Sequence, residues 1–563
     1  MNKTTLQLFG LFFFTLAPFL SFSQNPNELY HEAPDGAYMP VDKAHRRTSP
    51  PYQRLGTNFF VTQVNVDANG NNIVGDAANE PSIATDPNDP ERMVIGWRQF
   101  DTIASNFRQA GFGYTLDGGL TWTFPGVIDP GIFRSDPVLD SDADGKFYYN
   151  SLTVNDNDYL CNVYRSTGNG TWDDGPFAYG GDKQWMIIDK TEGPGKGHIY
   201  SNWNESFSVC PPGSFTRSTN GGDSYEACGT ISPPIYWGTL SVGPEGELYT
   251  VGNDGQIAKS SNAQNAADSV TWTSFLANLG GGLVGFASNG PNPSGLLGQA
   301  WVATDHSGGP NHGNVYVLGS VQPYTVLDPV DVHFIRSTDG GATWSTPVRV
   351  NDDASINNWQ WFGTMSVAPN GRIDVVWLDT RDNPDTLFSS LYYAFSEDGG
   401  LSWSANERLS EAFDPYLGWP QQQKMGDYFH MVSDNDGAHL AWAATFNGEQ
   451  DVYYGHITQE PSAVISNRQA GNALSQNFPN PFSGTTTLPY SLSEAGHVSL
   501  KIFHQTGQVA RYLIKDEKHG PGKFEAQWDG KDGSGNPMPA GMYFYDLSID
   551  GKSSICRKMV MLR

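Results

Sequence analysis

The chain has 563 residues, with 33 basic and 60 acidic side chains, for a formal net charge of −27. That balance excludes a basic footprint for nucleic acid or a polybasic membrane anchor, and four cysteines in this length exclude a disulfide-framework protein. Apolar residues at 38% and aromatics at 13% suffice for packed cores, 63 Gly and 36 Pro point to many turns and short elements, and ~150 residues per domain predicts two to four domains.

Residues 1–23 read as a signal peptide. Lys3 supplies the positive start, residues 6–20 are an apolar run, and Ser21 and Ser23 place cleavage before Gln24. The run is short of the ~20 residues a spanning helix needs, so no transmembrane segment is expected in the mature protein. Residues 24–57, polar and containing Ser49-Pro50-Pro51, read as an extended lead-in.

From residue 58 to 458 the sequence repeats itself. One octapeptide occurs as Thr115-Leu116-Asp117-Gly118-Gly119-Leu120-Thr121-Trp122, Ser337-Thr338-Asp339-Gly340-Gly341-Ala342-Thr343-Trp344 and Ser396-Glu397-Asp398-Gly399-Gly400-Leu401-Ser402-Trp403. A drifted copy is Ser218-Thr219-Asn220-Gly221-Gly222-Asp223-Ser224-Tyr225, and two relics end in Thr171-Trp172 and Thr271-Trp272. The Asp or Asn carboxyl or amide oxygen can accept from turn N–H groups, Gly relieves positive φ, and the Trp is expected to pack the hairpin onto its own sheet. These octapeptides resemble the Asp boxes, or BNR repeats, of the sialidase superfamily, and the resemblance implies a β-propeller.

A second repeat, a hairpin with a Gly turn, recurs at 81–100, 136–152, 184–204, 237–253, 299–320, 362–380 and 428–445. Seven hairpins predict an all-β, seven-bladed propeller with four-stranded blades, six blades being the alternative. Residues 58–66 are expected to supply the outer strand of the last blade, removing the free edge. The Asp140-Ser141-Asp142-Ala143-Asp144-Gly145 stretch resembles the start of an EF-hand loop, but Ser151 stands where the bidentate Glu belongs. It aligns instead with the other hairpin turns.

With strands numbered from the axis outward, the Gly turn and the octapeptide share one face. The two-to-three loops and the crossings between blades share the other, where ligands are expected. There, Trp359, Trp361, Trp419 and Glu205 are the candidate ligand contacts, since aromatic faces beside charged groups stack on sugars. Glu80, Asp136, Asp182 and Asp427, just before innermost strands, could ring the channel mouth and hold a cofactor ion, calcium. A sialidase-like hydrolase would need an Arg cluster for a carboxylate; Arg98 and Arg381, with Asp101 and Asp379, are the catalytic candidates. Arg98 lacks the family's Arg-Ile-Pro context, and no Tyr–Glu pair can be assigned. Cys210 and Cys228 are the expected disulfide, with Cys161 and Cys556 unpaired.

Residues 459–472 read as a linker. From 473 to 563 alternating segments predict a small Ig-like β-sandwich. Gln476-Asn477-Phe478-Pro479-Asn480-Pro481-Phe482, Pro539-Ala540-Gly541-Met542-Tyr543-Phe544-Tyr545 and the terminal Arg557-Lys558-Met559-Val560-Met561-Leu562-Arg563 resemble a type A C-terminal sorting domain of the type IX secretion system. The resemblance implies the type IX machinery as a partner and export to the outer surface of, or release from, a Gram-negative bacterium. The expected function is a secreted or cell-surface propeller binding an extracellular glycan or glycoprotein. A sialidase-like glycoside hydrolase and a non-catalytic structural or adhesive protein are the alternatives.

Overall fold

The computed structural model describes residues 36–56, 58–155, 158–253, 255–383, 386–458, 473–474, 477, 479–480, 482–492, 495–504, 509–550 and 552–562. The expected signal peptide and linker lie outside them. No helix among the described residues is long and apolar enough to cross a membrane.

Turn chemistry sets the strand plan. Among the described residues between 53 and 457, seven antiparallel sheets of three to five strands follow one another, besides a two-stranded ribbon pairing Thr48–Ser49 with Asn72–Ile73. Their first strands are Ala77–Asp86, Ser135–Ser141, Trp185–Ile188, Leu240–Val242, Trp301–Thr304, Gln360–Val367 and His430–Ser433. Each neighbours the next, and the last neighbours the first, so the strands form a closed, propeller-like ring. The seventh sheet continues outward through Ala438–Ala444 and Asp451–Ile457 to Phe59–Gln63, which pairs Phe59 with Ile457 and Gln63 with Tyr453. Gln53–Leu55 adds a fifth strand outside it. The segment read as lead-in therefore contributes to the ring.

The octapeptides have a common geometry. Asp117 Oδ1 accepts from Thr121 N at 3.0 Å, and Thr115 Oγ1 accepts from Gly119 N at 3.1 Å. Asp339 with Ser337, Asp398 with Ser396 and Asn220 with Ser218 repeat the pattern. These turns join third to fourth strands and share a face with the first-to-second turns. Tyr148 donates both to Asp142, in the first-to-second turn of sheet two, at 3.1 Å and to Gly221, in the octapeptide of sheet three, at 3.4 Å. The EF-hand-like stretch is that hairpin turn, with Asp142 Oδ1 accepting from Asp144 N and Lys146 N.

The aromatic residue ending the octapeptide is not confined to its own sheet, as the local reading expects, although Trp172 does meet Tyr149 there at 5.6 Å. It reaches the third strand of the sheet before it: Trp172 meets Phe112, Trp272 meets Phe215 and Trp403 meets Phe334, with ring centroids 5.6, 5.1 and 5.1 Å apart. Trp122 of sheet one meets Tyr454 of sheet seven at 5.4 Å, so the staple crosses the seam where the ring closes.

The C-terminal unit is a two-sheet sandwich. Thr486–Leu492 pairs with Ala473–Leu474 and Gly522–Trp528; the second sheet runs Val509–His519, Gly496–His504, Gly541–Ile549, Lys552–Met561. Thr486–Leu492 alternates buried and half-buried residues over a core of Trp528, Tyr543, Leu500 and Met559.

Truncating the seam staple should loosen the joint at which the ring closes. Trp122→Ala is expected to lower stability by about 3–5 kcal/mol, as for other buried tryptophans, measured by urea unfolding of the mature protein.

Candidate functional site

The end of the channel away from the octapeptides is built from one backbone feature repeated around the ring. Glu80, Asp136, Lys183, Trp237, Gly298, Phe362 and Gly426 stand at the head of the seven first strands, and all have positive φ, from 46° to 140°. Five are not glycine, and bulky residues seldom adopt this conformation. Irregular pairing accompanies three of them, between Asn79 and Ser82, between Asn150 and Leu152, and between Trp361 and Thr364.

Four of these heads, from sheets one, two, three and seven, bring the predicted acidic residues together. Glu80, Asp136, Asp182 and Asp427 are wholly buried. They are neutralised by four cations, Arg98, Arg108, Lys183 and Lys424, of which none is more than 6% exposed. Arg98 Nε lies 3.1 Å from Glu80, and Lys183 Nζ bonds Asp427 and lies 3.7 Å from Asp136 and 3.9 Å from Glu80. Lys424 Nζ lies 2.9 Å from Asp427. Arg108 donates to Ser135 Oγ and feels the charges of Asp136, Asp182 and Asp427.

This donor set does not fit calcium. The four carboxylates converge as expected, but Lys183 stands among three of them, and among the described residues no group of three or more His, Cys, Asp or Glu is arranged to hold a metal ion.

Burial and charge compete at each member. Burial pushes Glu80 up to about 8, with Arg98 and Lys183 pulling against it. Asp182, whose oxygens accept no hydrogen bond among the described residues, is pushed by burial to about 7. Against the same burial, Lys183 and Lys424 hold Asp427 well below the usual range, and Lys183 and Arg98 hold Asp136 at about 2.

An insertion covers this end. Gly281–Leu283 and Trp301–Thr304 both pair with Val315–Pro323, and the chain between them loops out. Asn292 Nδ2 donates to Gly426 O at 2.8 Å, its Oδ1 accepts from Met425 N at 2.8 Å, and Leu296 N donates to Asp427 at 2.7 Å. The loop thus seals the charge cluster. Its sequence carries no repeat, so nothing in the repeat pattern marks it; Lys183, adjacent to Asp182, and Lys424, three residues before Asp427, are missed residues that local sequence could have flagged.

The catalytic candidates serve as anchors. Arg98 is wholly buried on Glu80. Asp101 binds Arg46 at 3.0 Å, Lys43 at 3.4 Å and Gln109 at 3.1 Å, tying down the segment before the ring. Arg381 is clamped by Asp352 at 2.7 Å, Asp379 at 2.8 Å and Asp353 at 3.6 Å, and lies over the Tyr392 ring. Asp379 also accepts from Trp377 Nε1.

The ligand candidates separate. Trp361 is fully buried, donating to Ser389 Oγ at 3.1 Å, and this withdraws it from any surface contact. Trp359 and Trp419 are half-buried, Trp359 against Gly290 of the inserted loop and Trp419 against Tyr416. A Cβ at Gly290 would lie 2.9 Å from the Trp359 ring, and Tyr416 donates to Gly290 O at 2.6 Å while its ring lies 4.6 Å from Trp419. Tyr416 and Leu417 are exposed beside them. Glu205 belongs to a short 3-10 turn in the second-to-third loop of sheet three, away from this patch. Cys210 and Cys228 form a disulfide with Cα atoms 6.5 Å apart, and Cys161 is buried and free. The Cys556 side chain lies outside the described residues.

The charge cluster should make stability pH-dependent. Folded Glu80 keeps its proton above the ordinary 4.5, where the unfolded chain has lost it, so its contribution falls as pH rises from about 4.5 to about 8. Glu80→Gln is expected to shrink the stability difference between pH 5 and pH 8, read from urea midpoints at the two values.

Residues 472–553 match the FlgD Ig-like domain family. No curated protein matches the chain. Among solved structures, a protein of unknown function from Dyadobacter fermentans is 14% identical with a TM-score of 0.39, covering 71% of this chain and 99% of its own. PorZ, a surface component of the type IX secretion system of Porphyromonas gingivalis, is 12% identical with a TM-score of 0.30, covering 91% and 87%. The phage phi92 endosialidase is 8% identical with a TM-score of 0.42, covering 85% and 78%. Likenesses this distant bear on neither activity nor ligand, and only the Ig-like match assigns a family to a part of this chain.

Proposed function

We propose that this chain is an exported, seven-bladed Asp-box propeller that binds an extracellular glycan or glycoprotein on the face opposite its octapeptide turns. The observation that carries this reading is the clustering of Trp359, Tyr416 and Trp419 beside Gly290. Three ring systems from two crossing loops are gathered at one partly exposed place, Trp359 packed so closely on Gly290 that no side chain would fit there, and Tyr416 bonded to Gly290 O beside Trp419. Such surfaces stack on sugar rings and use few polar groups to orient them.

Binding is favoured over hydrolysis because Arg98, Asp101, Asp379 and Arg381 are each occupied by structural partners and are mostly buried. A carboxylate-binding Arg needs its guanidinium edge open to substrate. Seven first strands in a closed ring and seven positive-φ heads support the blade count.

On a glycan array the mature protein is expected to give saturable binding without turnover of fluorogenic sialosides. Trp419→Ala or Trp359→Ala should weaken it at least tenfold with unfolding unchanged. Turnover lost on Arg381→Ala would establish the hydrolase instead.

The C-terminal sandwich is read as the type IX sorting domain. Its Ig-like family match supports the fold, and the three terminal motifs support the role. Removing residues 473–563 should leave the propeller inside a host that carries the type IX machinery, as followed by immunoblot of the culture medium and cell fractions.

A further inference from the structure

The channel is blocked at one end and open at the other. A cavity of about 390 Å³ lies within the ring, lined by the first strands of sheets two to seven. Its size falls in the ~300–1,000 Å³ range of small-molecule sites. Lys190, Thr191, His306 and Pro369 lie at the ends of those strands on the octapeptide face, so the opening is on the face opposite the aromatic patch proposed above.

The walls are aliphatic: Ile187, Ala303, Val367 and Val432, from four different sheets, are half-buried and line the cavity. The blind end is aromatic. Trp301 stacks on His430 at 5.7 Å, and Trp185 meets both edge-on, at 5.2 and 5.3 Å. His430 Nδ1 accepts from Ser82 Oγ at 2.8 Å and Ile83 N at 3.3 Å. Its proton therefore sits on Nε2, which makes His430 a hydrogen-bond donor among the lining residues. Three hydroxyls of the wall are engaged with one another or with backbone, Ser241 with Thr304 at 2.8 Å, Thr304 with Val242 O at 2.7 Å, and Ser366 with Ser433 N at 2.8 Å, while Ser433 Oγ makes no hydrogen bond among the described residues. At the mouth, Lys190 is paired with Asp140.

We propose that this channel is a second binding site, for a small neutral molecule with an apolar ring or chain and a carbonyl or ether acceptor. The acceptor enters first and takes the His430 Nε2 proton as a hydrogen bond, and the apolar part fills the aliphatic collar. A carboxylate is disfavoured, because burial holds His430 neutral, its pKa down at about 3, and the one cation at the mouth is already paired. Water in an apolar channel has few partners, and its release favours such a ligand.

The test uses the mature protein and 4-fluoroacetophenone, observed by fluorine NMR, with 4-fluorobenzoate as the charged control. The expected result is saturable broadening of the ketone in about the millimolar range or tighter, with none for the carboxylate. Ala303→Leu, which fills the collar, should weaken binding at least tenfold. His430→Phe, which keeps the ring and removes the donor, should weaken it several-fold. Thermal unfolding of each variant checks that the ring persists, and Val432→Leu replaces any variant that does not fold. Absence of saturable binding, equal binding of the benzoate, or binding insensitive to Ala303→Leu would overturn the proposal. Loss with Trp419→Ala instead would place the probe on the other face, so the two sites fail independently.

Discussion

Eight buried ionisable groups at the sealed end of the channel set the terms for the rest of the ring. Four carboxylates and four cations from sheets one, two, three and seven meet where water is excluded. Isolated, any of them would cost several kcal/mol to bury. Together they are tolerable only if each strand head is held at one position, and positive φ at Glu80, Asp136 and Lys183 does that. Two of the remaining heads, Trp237 and Phe362, belong to apolar clusters. One side of the channel end is thus ionic and the other hydrophobic.

Closure of the ring has a separate origin at the opposite face. The octapeptide turn is satisfied within itself by Asp and Ser or Thr side chains, which leaves its terminal aromatic free to reach the neighbouring sheet. Sheets two, four and six are joined to their predecessors by the same contact, and so is the seam between first and last. A turn motif selected by local hydrogen bonding therefore also supplies long-range cohesion.

Much of this was legible in the sequence, for physical reasons that differ by element. The octapeptides and hairpins are local, so their residues announce their conformation, and the joining of residues near 60 to the last sheet followed from the need to remove a free edge. The acids at the strand heads were legible from register alone. Arg108 was not, because it reaches the cluster from another loop, and pairing across a ring has no spacing rule; Lys424 pairs locally, three residues before Asp427. Trp359 and Trp361 looked equivalent as non-recurring tryptophans. The irregular pairing at Phe362 and the insertion over the channel decide which of them faces outward. The candidate catalytic arginines failed for the same reason: a charged side chain in a loop gives no sign of whether three aspartates already hold it.

The seventh sheet, assembled from both extremities of the repeat region, has a topological corollary. Thr458 N donates to Asn58 O at 2.8 Å, so the chain enters and leaves the ring at adjacent points of one sheet. A wheel whose ends touch has no privileged beginning, and relocating the break to an exposed crossing elsewhere would preserve every interface. The natural break carries a kinetic burden. About 400 residues separate the two halves of that sheet, and loop-closure entropy grows only slowly with such a separation. The last act of folding must nevertheless wait for the final strand to be delivered.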